Sequence, residues 1–262
     1  MSTTLVTALF DIGRGEWNNI FKRSHEEYLS YFKNILSLNA NFVIYIDERD
    51  LKTVEDIRKH IDPELSKTKI IVKKFEELEV IKKYLPVMRQ VMGSQDFKQR
   101  LIESHTPESL YPEYNAINFN KVSFVSEVIE QNYFNSDYFM WIDAGYSHNN
   151  FPAELLGKIY PDNEKIKILD DNKVHFLSLC NEKEIGLKTY TDPRVSITGS
   201  MFAGRSKPLL EFKNICFFII EEFLKANACN DDQAIYAMAY KFKKDLFNIT
   251  TGNWFDNIKF YI

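Results

Sequence analysis

The sequence predicts an α/β sandwich, a mostly parallel central sheet with helices on both faces, folded as one domain over 1–262. Two observations carry that prediction. Three short, nearly continuous apolar runs, Leu5 to Asp11, Phe42 to Asp47 and Tyr138 to Asp143, each end on an aspartate. Strands apolar at consecutive positions are buried on both faces, as in parallel sheets, and the acid marks where each strand leaves the core. Segments with helical periodicity separate the runs, the alternation from which layered α/β domains are built. A length of 262 residues, 45% of them apolar, fits one large domain as well as two small ones.

Taken in order, Leu5-Val6-Thr7-Ala8-Leu9-Phe10 forms the first strand. Ser24-His25-Glu26-Glu27 is a capping box with Ser24 as N-cap and Glu27 at N3, and Tyr28, Phe32, Ile35 and Leu36 follow at helical spacing. Thr68 to Val72, Val174 to Cys180 and Ser196 to Ala203 are further strands. Between Met88 and Asn120 the hydrophobic pattern weakens and prolines appear at 107 and 112, which predicts a long excursion from the sheet, either a substrate lid or acceptor platform or a plain surface insertion. Lys121 to Tyr133 carries Val122, Val125, Val128 and Ile129 on one face, while Leu209 to Leu224 is apolar almost all round and predicts a buried helix. Asn230-Asp231-Asp232-Gln233 reads as another helix start, ahead of the stripe Ile235, Met238, Ala239 and Phe242.

Composition narrows the function classes. A net charge of −4 argues against a protein that holds nucleic acid through a broad basic field. Three cysteines, Cys180, Cys216 and Cys229, lack metal-ligand spacing and suit a reducing compartment, so the expected location is cytoplasmic. The N-terminal residues have no positive segment of the secretory kind, and the longest purely apolar stretch, Ile215 to Ile220, is far short of a bilayer span. The tail, from Lys241 through Trp254-Phe255 to Lys259-Phe260-Tyr261, mixes cations with aromatics. That mixture fits peripheral contact at the inner face of a membrane, or ordinary packing of a terminal segment.

In an open α/β sheet ligands bind outside the carboxyl ends of the strands, so Asp11, Asp47 and Asp143 are expected to converge on one crevice; the competing reading is that they cap helices and start turns. Asp143 precedes Ala144 and Gly145, with His148 five residues on, a pair able to supply oxygen and nitrogen donors for Mn²⁺ or Mg²⁺; the competing reading of His148 is an ordinary loop histidine. Such a cation would neutralise charge on a leaving diphosphate. Gly13-Arg14-Gly15 begins like a dinucleotide fingerprint but has Asn18 where a third glycine is needed. The loop still suits a nucleotide, with Gly13 and Gly15 freeing the backbone, Arg14 reaching a phosphate and Trp17 stacking on a base; the competing reading is a plain glycine-bounded turn with one exposed arginine. Gly199 implies close approach by a ligand, and Arg205 and Lys207 suggest phosphate contacts or, with Pro208, a helix start. Asp232 is the candidate general base toward an acceptor hydroxyl, with Asp231 as the fallback; helix-dipole stabilisation accounts for the same acids.

These elements, in their order, are familiar. The opening Leu5 to Arg14, Pro112-Glu113-Tyr114-Asn115 leading to Lys121, Phe139-Met140-Trp141-Ile142-Asp143-Ala144-Gly145, Gly199 to Gly204 and Asp232-Gln233 together resemble the HtrL/YibB-type bacterial family, which includes proteins assigned as glycosyltransferases of surface-polysaccharide gene clusters. The resemblance runs from Leu5 to about Phe247. It implies a GT-A-like, Rossmann-type sandwich that binds a nucleotide-sugar with its first half, about 1–150, and an acceptor with its second, about 151–262. Asp143-Ala144-Gly145 would stand where that fold carries a metal-binding D-x-D, although position 145 is glycine. Lys121 joins Asp11, Gly13, Arg14, Asp47, Asp143, Gly199, Arg205 and Lys207 as donor-binding candidates. The implied activity is transfer of a sugar from a nucleoside diphosphate to a glycan or lipid-linked glycan. A metal-dependent phosphohydrolase and a noncatalytic binding protein are the alternatives.

Overall fold

The computed structural model describes residues 2–146, 148, 151–185 and 196–262. Its elements are β1 (Thr3–Leu9), α1 (His25–Leu36), β2 (Asn41–Ile46), α2 (Leu51–Lys59), β3 (Thr68–Val72), α3 (Glu79–Gly93), α4 (Gln95–Arg100), α5 (Pro107–Leu110), α6 (Pro112–Phe119), α7 (Lys121–Gln131), β4 (Tyr138–Ile142), α8 (Asn163–Lys167), β5 (Val174–Ser178), β6 (Ile197–Arg205), α9 (Ser206–Lys225), α10 (Asp232–Phe242) and β7 (Phe247–Thr251). Among the described residues the strands form one sheet in the order β3-β2-β1-β4-β6-β5-β7. Neighbours are parallel except around β6, which runs antiparallel to both β4 and β5. The α/β/α sandwich with a mostly parallel central sheet expected from the sequence is the observed architecture.

Strand alternation divides the core between the two faces. Val6, Val43, Tyr45, Phe139 and Trp141 point toward the layer of α3, α6, α7, α9 and α10, while Leu5, Phe42, Ile44, Met140 and Ile142 point toward α1 and the C-terminal segment. Because both sets are buried, β1, β2 and β4 read as continuous apolar runs. The predicted capping box starts α1: Ser24 Oγ accepts from the Glu27 N–H, and the Glu27 carboxylate accepts from the Ser24 N–H. A cap of this kind contributes about 1 kcal/mol, less than the burial of Phe32, Ile35 and Leu36, each on the order of 2 kcal/mol.

The 88–120 region leaves the sheet as expected and does so as helices: it holds the end of α3 and the short helices α4, α5 and α6, with Phe97, Ala116 and Phe119 in the core. Its pattern is weak because short helices carry few turns of periodicity, and α5 and α6 also line a cleft. One expectation is corrected here: α9 is not buried all round. Leu209, Phe212, Ile215, Cys216, Ile219, Ile220 and Phe223 face the core, and Phe218 is 47% exposed on the outer side. Ile258 and Tyr261 of the tail are buried, Phe255 packs edge-on against Tyr146, and no described helix is long and apolar enough to cross a membrane.

Candidate functional site

A cleft of about 500 Å³ opens at the carboxyl ends of β1 and β4. This is within the range of small-molecule sites. The reversed β6 enters the sheet at the same edge with Gly199 and Ser200, and the first turns of α7 and α10 complete the floor. Asp11, Arg14, Lys121, Asp143, His148, Gly199, Asp231 and Asp232 all line it. Residues from α5 and α6, among them Glu108 and Tyr114, form the opposite wall.

Lys121 organises the floor. Its Nζ lies 2.9 Å from Asp143 Oδ1 and 2.8 Å from Asp232 Oδ2, and donates to the Gly199 carbonyl at 3.1 Å. The residue is 5% exposed. Burial pulls its pKa down, but the two carboxylates more than reverse that and hold the amine charged. Asp143 is fixed from a second side, since the Trp141 indole N–H donates to Oδ1 at 2.6 Å. Burial pushes the Asp143 carboxyl above its usual range, the neighbouring Asp232 adds to the push, and Lys121 and Trp141 oppose it. Asp232 packs directly on Gly199. A Cβ at position 199 would fall 2.1 Å from Asp232 Oδ2, so this contact requires glycine.

Asp231 is the N-cap of α10, accepting on Oδ1 from the backbone N–H groups of Gln233 and Ala234. Burial, then Asp232 and Glu108, push its carboxyl well up. Burial also raises Glu108. Asp231 and Glu108 thus both hold protons more tightly than free carboxyls, and both line the cleft that Arg14 and Arg23 also line.

On the cationic side, Arg14 sits 4.9 Å from the Trp17 ring centroid and 5.5 Å from that of Tyr28, donating from Nη1 to the Tyr28 hydroxyl at 2.5 Å. Arg23 Nη1 donates to His148 Nε2 at 2.8 Å. Burial, with Arg23 and Arg14 close by, depresses the His148 pKa to about 4, leaving the ring neutral. Gly145 touches this cluster: a Cβ there would lie 2.8 Å from Tyr28 Cε1.

Of the three strand-end aspartates, Asp11 and Asp143 line the cleft and Asp47 does not; Asp47 stands behind Asp11, its Oδ2 accepting from the Asp11 N–H at 3.4 Å. Burial tends to raise Asp11, but the Gly13 N–H and the Arg49 guanidinium, 2.9 Å from Oδ2, outweigh it and hold the carboxyl low. Gly13 adopts φ 73°, the left-handed conformation that suits glycine, and serves this turn rather than the cleft wall.

Three expectations fail. Arg205 and Lys207 are not at the cleft: Gly199 and Arg205 lie at opposite ends of β6, which at about 3.3 Å per residue separates them by roughly 20 Å. Arg205 pairs with Tyr138 at the start of β4, forms an ion pair with Asp171 and stands over the Tyr138 ring, and Lys207 lies in the first turn of α9. Trp17 is not free to stack on a base, because its ring is already stacked on Tyr111 at 3.8 Å. The Asp143 and His148 pair does not fit a divalent metal either. His148 Nε2 accepts from a guanidinium, a lysine ammonium holds the Asp143 carboxylate, and no group of three or more His, Cys, Asp or Glu among the described residues is placed to hold an ion.

Arg23 and Glu108 join the site without having been singled out in the sequence, and Tyr28 and Tyr114, which were named there only as a helix-face residue and within the family-like segment, line it as well. For Lys121 one local signal exists, a cation on the first turn of a helix against the dipole, an inconsistency that marks functional positions.

The family described as "Bacterial protein of unknown function (HtrL_YibB)" matches residues 1–262. Protein HtrL of Escherichia coli (strain K12) is 29% identical over 277 aligned positions, covering 97% of this chain and 90% of that protein. Among solved structures, the apo form of mouse xyloside xylosyltransferase 1 matches with a TM-score of 0.46 and 10% identity, over 95% of this chain and 84% of that one.

Proposed function

This chain belongs to the HtrL_YibB family, and we propose that it is a glycosyltransferase, moving a sugar from a nucleoside-diphosphate donor to a surface-polysaccharide or lipid-linked glycan. The observation that carries the reading is the pairing, in one cleft, of a cationic wall, Arg14 and Arg23, with carboxylates held in register by Lys121. Guanidinium groups match the charge and geometry of a diphosphate, and carboxylates hydrogen-bond sugar hydroxyls and accept a proton.

In this reading the diphosphate lies against Arg14 and Arg23, the sugar over Asp143, and the acceptor enters along Glu108 and Asp231. The acceptor oxygen bonds to the anomeric carbon as the bond from that carbon to the phosphate oxygen breaks. The nucleoside diphosphate leaves with the electron pair, its charge met by the arginines. Asp232, with Oδ2 held by Lys121, takes the hydroxyl proton on Oδ1; Asp231, beside it and with the raised carboxyl, is the second candidate for that role. The first half of the chain thus contributes the donor contacts and the second half the base.

The test is a turnover screen of UDP-, GDP-, dTDP- and CMP-sugars with oligosaccharide and lipid-linked acceptors. Glycosylated acceptor, formed together with free nucleotide, is the expected product. Release of phosphate to water with no sugar transferred would favour a phosphohydrolase, and absence of nucleotide binding would indicate a noncatalytic protein.

A further inference from the structure

We propose that the cleft works without a divalent metal: the Lys121 ammonium takes the place between Asp143 and Asp232 that a bridging cation would occupy, and Arg14 and Arg23 hold the donor's diphosphate. The proposal rests on the donor reading above and specifies the charge that serves it.

Three independent contacts support it. Lys121 Nζ has oxygen neighbours at 2.9, 2.8 and 3.1 Å, from Asp143, Asp232 and the Gly199 carbonyl, which uses its three donors. A metal bound to the same carboxylates would stand next to a fixed positive charge or displace it into a buried site without a partner, and either is costly. The second contact fills position 145, where another acid of the same loop would project. Tyr28 Cε1 and Cδ1 lie 2.8 and 3.3 Å from a Cβ built there, so the ring takes the space of a second ligand. That ring's hydroxyl in turn accepts from Arg14, so a cation stands near this position already. The third contact disposes of the nitrogen donor. His148 Nε2 accepts from Arg23, and a metal at that atom would have to displace a guanidinium.

The experiment uses the intact chain and two metal probes. Mn²⁺ binding is followed by electron paramagnetic resonance, and Tb³⁺ binding by luminescence excited through Trp141, whose indole touches Asp143. The wild type is expected to show no site tighter than about 1 mM and no sensitised Tb³⁺ emission. UDP and GDP should bind equally with excess EDTA and with Mn²⁺. Lys121→Met removes the ammonium and leaves Asp143 and Asp232 facing each other, so it is expected to bind Mn²⁺ at least about tenfold more tightly than wild type and to acquire Tb³⁺ emission. A wild-type protein that binds one Mn²⁺ at micromolar levels, or nucleotide binding lost on chelation, would overturn the proposal. If Lys121→Met does not fold, the wild-type titrations decide alone. A panel in which neither nucleotide binds with or without metal would instead overturn the donor reading, a result separate from the Mn²⁺ titration.

Discussion

Arg58 and Lys121 are both buried cations, and their surroundings are opposite. The Arg58 guanidinium donates to the carbonyls of Leu36, Leu38 and Ala40 at 2.6, 2.8 and 3.2 Å and to Thr68 Oγ1 at 3.0 Å, and it lies over the Phe42 ring. Its partners are neutral, and burial lowers its pKa to about 10. It ties the turn after α1 to α2 and β3, far from the cleft. Lys121 faces two carboxylates and borders the cleft. A buried cation closed off by carbonyls works for stability, whereas one that balances acids at an open edge holds those acids in position for a ligand.

Variants at the two places should therefore separate activity from stability. Asp143→Asn removes a charge from the cleft while Lys121 and Asp232 still balance each other. Its kcat/KM for transfer should fall on the order of 10³-fold, the scale of losing one preorganised electrostatic group, with an unchanged urea midpoint. Retained turnover would put the chemistry elsewhere. Arg58→Met keeps the bulk but takes the guanidinium from the Leu36, Leu38 and Ala40 carbonyls, of which Leu38 keeps the Ala40 N–H, while the Thr68 hydroxyl still donates to Asp62; the loss should be about 3 kcal/mol of stability, seen as a fall in Tm of roughly 10 °C. Surviving protein should keep its kcat, and a loss of kcat without a loss of Tm would erase the distinction.

His148 gives a smaller effect with a definite sign. Its folded pKa, about 4, is below the ordinary 6.5, so as pH falls from 6.5 toward 4 the unfolded chain takes up the proton first and stability drops. Above 6.5 the contribution is complete. Urea unfolding at pH 7 and pH 4.5 should show a larger loss for wild type than for His148→Gln, and parallel losses would contradict the placement beside Arg23. Arg205→Ala should change least. With Arg205 at the far edge of the sheet, in an exposed ion pair with Asp171, transfer should stay within about twofold of wild type; a large loss would return it to the phosphates.

The same contrast explains what the sequence could reveal. Burial on both faces leaves a continuous apolar run, so β1, β2 and β4 and the acids that end them are visible as local pattern. Strand direction leaves no such trace. Gly199 and Arg205 both suggest ligand contacts in the sequence, and only the reversal of β6 sends one to the cleft and the other to the opposite end of the strand. Lys121 meets partners 22 and 111 positions away, a separation at which no spacing rule applies. Glu108 stayed hidden, and Tyr114 was visible only within a familiar segment, because short helices that line a cleft lose the periodicity by which helices are read.

A crystal structure of the wild-type protein with a bound nucleoside-diphosphate sugar, grown with chelator present, tests whether the cleft is the donor site. The diphosphate should lie within hydrogen-bonding distance of Arg14 and Arg23, with the anomeric carbon above Asp143 and Asp232 close to the open side of the sugar. A donor lodged outside this cleft, with Asp143 and Asp232 still closed on Lys121 and touching nothing else, would contradict the account.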